Sequence, residues 1–277
     1  YGISTDKFNN LISEKITERN RHINIKLSKI KIFLNIKNFN FELKTNNPDV
    51  FFKNKKIKIR SISTDLPIKS IFLEKLILEE IKIITDKNKI QNLIEVVGAY
   101  KTYPELFILN KIIKDGFISI ESKISFNEDG SIRKNYLVDG SIENLKIKLF
   151  NDSLIENINF SFLIKDKEYL IYNLTSLYQS ININSNQIKI SNNKNHYLFE
   201  GEISNQKGEI DLDKFSYLLN HKIGNFIKKK LTISSNNKFS FKLNKKMKLS
   251  DINFKSKLSI NGIEYSNNIL RRFFPGY

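Results

Sequence analysis

The chain has 277 residues, no cysteine, and 46 Lys and Arg against 29 Asp and Glu, for a formal net charge of +17. That length accommodates one large or two ordinary domains, and the lack of cysteine excludes disulfide frameworks and cysteine metal sites. His22, His196 and His221 are far apart in sequence, and no apolar run is long enough to cross a bilayer as a helix.

Residues 4 to 20 place Phe8, Leu11, Ile12 and Ile16 on one face at helical spacing. With Ser4, Thr5 or Asp6 as the cap, this predicts an N-terminal amphipathic helix. From Ile23 the period becomes two, through Ile25 and Leu27, Ile30 to Ile36, and Phe39 to Leu43. The parity slips after Leu27 and after Ile36, where a strand bends, bulges or turns. Asn46-Asn47-Pro48-Asp49 is a turn. Strands follow through Val50 to Phe52, Lys55 to Ile62 and Leu76 to Ile83, with a break expected at Leu66-Pro67. Between Asp86 and Gly116, Ile90, Leu93, Ile94 and Val97 follow a helical pattern. Pro104 suits the first turn of a second helix, Glu105 to Lys114, closed by Asp115-Gly116. A boundary near residue 115 divides an N-terminal helix-plus-sheet block, 1–115, from an extended sheet segment, 116–277.

In that second block, apolar residues alternate with Asn, Lys and Ser for strand after strand, separated by short polar breaks. Asn127 to Gly130 reads as a hairpin turn, and Asp213 caps a short helix from Lys214 to about Lys222. Strands return from Leu231 to Tyr265. Asp139-Gly140-Ser141-Ile142 is echoed weakly by Glu200-Gly201-Glu202-Ile203. The fold class is therefore mainly β: an extended antiparallel sheet with the N-terminal helix and a few short helices, and that this sheet is curved into a groove is what the family resemblance below implies. One face is apolar and one wet, so the apolar face needs a cover.

The sequence contains no phosphate-cradling glycine loop, nucleophile elbow or zinc-ligand spacing. No enzyme activity, metal or cofactor is expected. The basic charge raises nucleic acid as a partner. However, the lysines are spread over nearly every strand, and heavy use of Lys, Asn and Ile together is the mark of A/T-rich coding. Phe160, Phe162, Phe239 and Phe241 fall in register with Ile and Leu, not with the basic residues. They belong to the apolar face, and no nucleic acid is expected.

The order of elements resembles the AsmA-like family. The likeness lies in an amphipathic helix followed by strand pairs, then Val50-Phe51-Phe52, Asp65-Leu66-Pro67-Ile68, and Leu76-Ile77-Leu78-Glu79-Glu80-Ile81-Lys82-Ile83. Val138-Asp139-Gly140-Ser141-Ile142-Glu143-Asn144-Leu145 and Gly262-Ile263-Glu264-Tyr265 are similar to the larger, YhdP-type members. The resemblance implies a protein held in the inner membrane of a Gram-negative bacterium by an anchor missing from this chain, and facing the periplasm. It also implies a part in outer-membrane biogenesis, carrying phospholipid along a β-groove as chorein-type bridge proteins do. The expected groove lining is Leu145, Ile147, Leu149, Ile158, Phe160, Phe162, Ile164, Ile181, Ile183, Ile188, Ile190, Phe239, Phe241, Leu243, Ile252 and Phe254, with phospholipid acyl chains as the partner. The alternatives are a structural or adhesive β-sandwich, and a factor aiding outer-membrane protein assembly.

Overall fold

The computed structural model describes residues 2–7, 9, 10, 13, 14, 22–36, 39–67, 80–100, 104–127, 133, 135–149, 153–178, 181–211, 230–246 and 248–261. The strands are β1 (Ile3–Thr5), β2 (Ile23–Lys26), β3 (Ile30–Asn35), β4 (Asn40–Asn46), β5 (Asp49–Phe52), β6 (Lys55–Pro67), β7 (Glu80–Thr85) and β8 (Asn88–Lys89). Helices α1 (Ile90–Tyr100) and α2 (Pro104–Ile112) come next. They are followed by β9 (Ile113–Ser125), β10 (Leu137–Lys148), β11 (Leu154–Lys165), β12 (Glu168–Tyr178), β13 (Ile181–Asn192), β14 (His196–Asp211), β15 (Lys230–Asn244) and β16 (Leu249–Asn261). The protein is mainly β, one antiparallel sheet accompanied by α1 and α2. Its strand order is β1-β3-β4-β6-β7-β9-β10-β11-β12-β13-β14-β15-β16, with β2 on β5, β5 on β6, and β8 on β9.

The turns form where the residue types allow them. Asn47 follows β4 with φ 47° and donates its backbone N–H to the Arg60 carbonyl at 2.8 Å. Lys53 and Asn54 both have positive φ, 49° and 53°, which is the geometry of a two-residue hairpin turn, and Phe52 pairs directly with Lys55. Asn144, Asn157 and Asn173 adopt φ of 51°, 50° and 52° within β10, β11 and β12. Asparagine tolerates this left-handed conformation better than a β-branched residue does. At Asn144 the pairing of β10 with β9 shifts register, which is a bulge.

Three expectations are revised. Ser4 and Thr5, taken as helix caps, belong instead to β1, which pairs with β3. Asn9, Asn10, Ser13 and Glu14 are helical, whereas Phe8, Leu11, Ile12 and Ile16 lie outside the described residues. β6 runs through Leu66 to Pro67, which is opposite Asn40 of β4. The second helix stops at Ile112, and Ile113 and Lys114 already belong to β9. The Asn127 to Gly130 turn beyond Asn127, the helix at 214–222 and the chain beyond Asn261 also lie outside the described residues.

The chain forms two compact units: Tyr1–Ile147 with Ser161–Tyr169, and Lys148–Phe160 with Leu170–Tyr277. Residue 115 lies inside β9. Within the first unit, one end of the sheet is closed. α1 packs against β6, β8 and β9, and α2 against α1 and β9. Buried here are Ile25, Phe52 and Ile57 from β2, β5 and β6, with Ile90, Ile113 and Leu145. Gly116 has φ 146° and lies where an added Cβ would come within 2.9 Å of both Ile90 Cδ1 and Leu145 Cα. A side chain at that position would force the helix and β10 apart.

Candidate functional site

Directly opposed residues of an antiparallel pair share a face, so the register assigns faces without ambiguity. In the first unit one row of opposed residues, Ile124-Ile81-Thr64-Leu43-Ile32-Ile3, crosses six strands from β9 to β1. The row beside it on the other face reads Lys123-Lys82-Ser63-Lys44-Lys31-Ser4. One face is thus aliphatic and the other basic and hydroxylic. Lys82 and Lys123, though opposed, are each neutralised on the diagonal: Lys82 bonds Glu121 at 2.6 Å and Lys123 bonds Glu80 at 3.0 Å. These pairs are largely exposed, so they set register more than stability.

The aliphatic face is not covered along its length. Ile30 and Leu66 are buried, but Ile32, Leu43, Ile62, Ile81, Ile83, Ile118 and Ile120 are only half-buried, and Leu34 and Ile3 are exposed. Of the expected lining, Leu145 lies in the closed end, only 5% exposed, and Ile147 pairs with Ile113. Phe162 lies over Gly140: an added Cβ would meet the ring at 2.6 Å. Gly140 is itself opposite Ile120 on the aliphatic face. Ile164 is half-buried farther along β11.

In the second unit, Ile188-Gly201-Phe239-Phe254 form a row across β13 to β16. The next row joins Ile190, Phe199 and Phe241, and the next Asn192, Tyr197, Leu243 and Leu249. Phe199 and Phe241 stack at 4.7 Å between centroids, and Phe239 and Phe241 at 5.9 Å. Such pairs contribute about 0.5–1.5 kcal/mol beyond area burial. Lys245 Nζ caps the end of this ladder, 3.7 Å from the Tyr197 ring centroid. Phe239 lies over Gly201, whose added Cβ would be 3.0 Å from Phe239 Cζ and 3.0 Å from Ile188 Cγ1. The two weakly echoed sequence patterns therefore share a physical cause: each glycine makes room for a phenylalanine on another strand.

Six of the expected lining residues, Ile188, Ile190, Phe239, Phe241, Leu243 and Phe254, are thus brought onto one face. Ile252 shares the parity of Phe254, before the bulge at Asp251 (φ 50°). Ile183 is opposite Asn205, and Ile181 packs at 3.5 Å from the Cβ position of Gly208. Ile158 is buried and Phe160 half-buried in β11, and Leu149 is exposed beyond the end of β10.

Sequence reasoning missed the aliphatic face of the first unit as part of the lining. It also missed Tyr197, Phe199, Leu258 and Ile260. In β14 the run Tyr197-Leu198-Phe199 has no alternation of its own, and only the partner strands assign its parity. A further surprise is a polar crossing of the apolar face by Asn205, Ser235, Asn237 and Ser256. Ser235 Oγ donates to Asn205 Oδ1, Asn237 Nδ2 to Ser235 Oγ at 2.8 Å, and Ser256 Oγ to Asn237 Oδ1 at 2.6 Å. The side chains satisfy one another, which lets them lie among Ile183, Leu258 and Phe239 at low cost.

Among the described residues, no three His, Cys, Asp or Glu side chains converge as metal ligands, and no helix is long and apolar enough to cross a membrane. Compared with known proteins, the chain matches no family model, no curated protein and no solved structure.

Proposed function

We propose that the chain is a non-enzymatic lipid-transfer protein of the bacterial envelope, whose sheet curves into a groove and carries phospholipid acyl chains on its apolar face. In this reading the protein is anchored in the inner membrane, faces the periplasm and passes phospholipid toward the outer membrane. The observation that carries the reading is the aromatic ladder of Phe199, Phe239, Phe241 and Phe254, in register with Ile188 and Ile190 and with no second layer over it among the described residues. Phe254 is 61% exposed although its face is apolar. Exposed contiguous apolar surface marks an interaction site. The resemblance of the element order to AsmA-like proteins points the same way.

The energetics suit transfer without a chemical step. Taken from water, an acyl chain of about 16 carbons gains on the order of 10 kcal/mol, at ~0.8 kcal/mol per methylene. A donor bilayer already supplies most of that, so bilayer and groove differ little and the lipid can move between them. Lys, Ser and Glu on the opposite face keep the sheet in water.

Full-length chain and Phe241→Arg are compared for binding of a phospholipid with a fluorescent acyl chain. The expectation is a folded variant, judged by circular dichroism, whose lipid binding falls at least about tenfold. If Phe241→Arg unfolds the protein, its face is a closed core, and the β-sandwich reading replaces this one. Unchanged binding by a folded variant contradicts the proposal as well.

A further inference from the structure

Two polar boundaries enclose the aromatic ladder of the second unit. One is the crossing of Asn205, Ser235, Asn237 and Ser256, whose neutral side chains bond one another. The other is formed by the turns at the far end of the same strands, between β13 and β14 and between β15 and β16. Along β15 the apolar stretch between the boundaries runs from Phe239 through Phe241 to Leu243. At about 3.4 Å per residue, residues 239–243 span about 15 Å. Half of a bilayer's ~30 Å hydrocarbon core, about 15 Å, is the depth that one acyl chain fills.

The boundary at the turns is cationic. Residues 191–199 and 243–250 include Lys194, His196, Lys245, Lys246 and Lys248 and no Asp or Glu. The four lysines are exposed. Of the acids that follow, Asp251 is engaged by Lys242 at 2.8 Å, and Glu200 is directly opposite Lys189 of β13. Local hydrogen bonds fix the turns. Asn244 Oδ1 accepts the N–H groups of Lys246 and Lys248, each at 2.9 Å. The Asn193 N–H donates to the His196 carbonyl at 2.9 Å, and the Lys245 N–H to the Asn195 carbonyl at 3.4 Å, which joins the two turns. Lys245 Nζ donates to Asn192 Oδ1 at 2.8 Å and lies 3.7 Å from the centroid of the Tyr197 ring. Tyr197 is opposite Leu243 on the apolar face. The ammonium thus stands where the apolar stretch meets water, with donors beyond the one given to Asn192.

We infer that this end of the ladder receives the phosphate of an acyl lipid, with the acyl chain running along Tyr197, Phe241 and Phe239 toward the Asn and Ser crossing. Lys245 would bond the phosphate, and the other lysines of the two turns would add to the positive field around it. The reverse orientation sets the phosphate against a neutral, internally bonded crossing and the end of the chain against ammonium groups, which forfeits both interactions. A headgroup class and an orientation are thereby added to the lipid-transfer reading, on which this rests.

The full chain is titrated with phosphatidic acid and with diacylglycerol carrying the same fluorescent acyl chain, and glycerol phosphate serves as competitor. Phosphatidic acid is expected to bind about tenfold more tightly, the effect of one charge-assisted hydrogen bond. That margin should shrink as salt rises. Lys245→Gln should erase it and Lys245→Arg should keep it. A diazirine near the headgroup end of the chain should label Tyr197 or Leu243, and one at the far end Phe239 or Phe254. If both lipids bind equally, the inference falls while the lipid-transfer reading stands, and if neither binds, both fall. Displacement of phosphatidic acid by an equal concentration of glycerol phosphate would mark a site for phosphate groups in solution and overturn the inference, as would diazirine labels in the reverse order. The wild-type comparison and the label order decide the matter even if Lys245→Gln does not fold.

Discussion

Asn88 is only 3% exposed and holds the entrance to α1 by clasping a neighbouring strand. Its Oδ1 accepts the Lys58 N–H at 2.8 Å, and its Nδ2 donates to the carbonyls of Lys58 at 3.0 Å and Asp86 at 2.9 Å. Asn88→Ala leaves those backbone groups unpaired, so it should destabilise the chain by about 1–3 kcal/mol in urea denaturation. The glycines give a graded pair. At Gly140 an added Cβ meets the Ser119 carbonyl oxygen at 2.5 Å, a backbone atom that cannot easily yield, whereas at Gly201 it meets side-chain atoms at 3.0 Å. Gly140→Ala should cost about 1–3 kcal/mol, and Gly201→Ala clearly less. The echo of these glycines was legible in the sequence. Its cause was not, because the overlying Phe162 and Phe239 come from strands that only the pairing brings alongside. At Asp251 the hydrogen bond from Lys242, then its charge, hold the carboxyl below the ordinary 3.8. A depressed folded value means this contribution is fully present above pH 3.8 and is lost as pH falls through the folded value. Asp251→Asn should therefore flatten the loss of stability as pH falls below 3.8, a small effect for an exposed pair.

At the scale of elements, strands and helices followed from periodicity wherever alternation was clean. α1 was legible from Ile90, Leu93, Ile94 and Val97, and the turn at Asn46 to Asp49 from its residue types. β1 was not, since three residues carry no period and its pairing with β3 is made across the whole N-terminal segment. The bulge at Asn144 and the left-handed residues Asn157 and Asn173 were equally hidden, because a left-handed residue inside a strand leaves no signal in an Asn-rich chain. They nevertheless have a clear test. Asn157→Gly should be close to neutral, whereas Asn157→Val forces a β-branched side chain into φ near 50° and should cost about 1–2 kcal/mol. Thermal unfolding of the two variants measures the difference.

For the molecule as a whole, the decisive feature is the contrast between two faces of each unit. One carries rows such as Ile124-Ile81-Thr64-Leu43-Ile32 and Ile188-Gly201-Phe239-Phe254, and the other rows of lysine, serine and glutamate. Alternation alone predicted that such a face exists, and it could not say whether a second layer covers it. In the first unit helices cover one end. Elsewhere, apart from buried Ile30, Leu66, Ile158 and Ile233, most of the described aliphatic and aromatic residues are half-buried or exposed. The central claim is that acyl chains occupy that face, and photo-crosslinking with a phospholipid bearing a diazirine on its acyl chain tests it most directly. The account predicts labels on Ile188, Phe199, Phe239 and Phe241 and none on Lys189, Glu200 or Ser240, their neighbours on the opposite face. Labels spread evenly over both faces, or no label on the aromatic ladder, would contradict it.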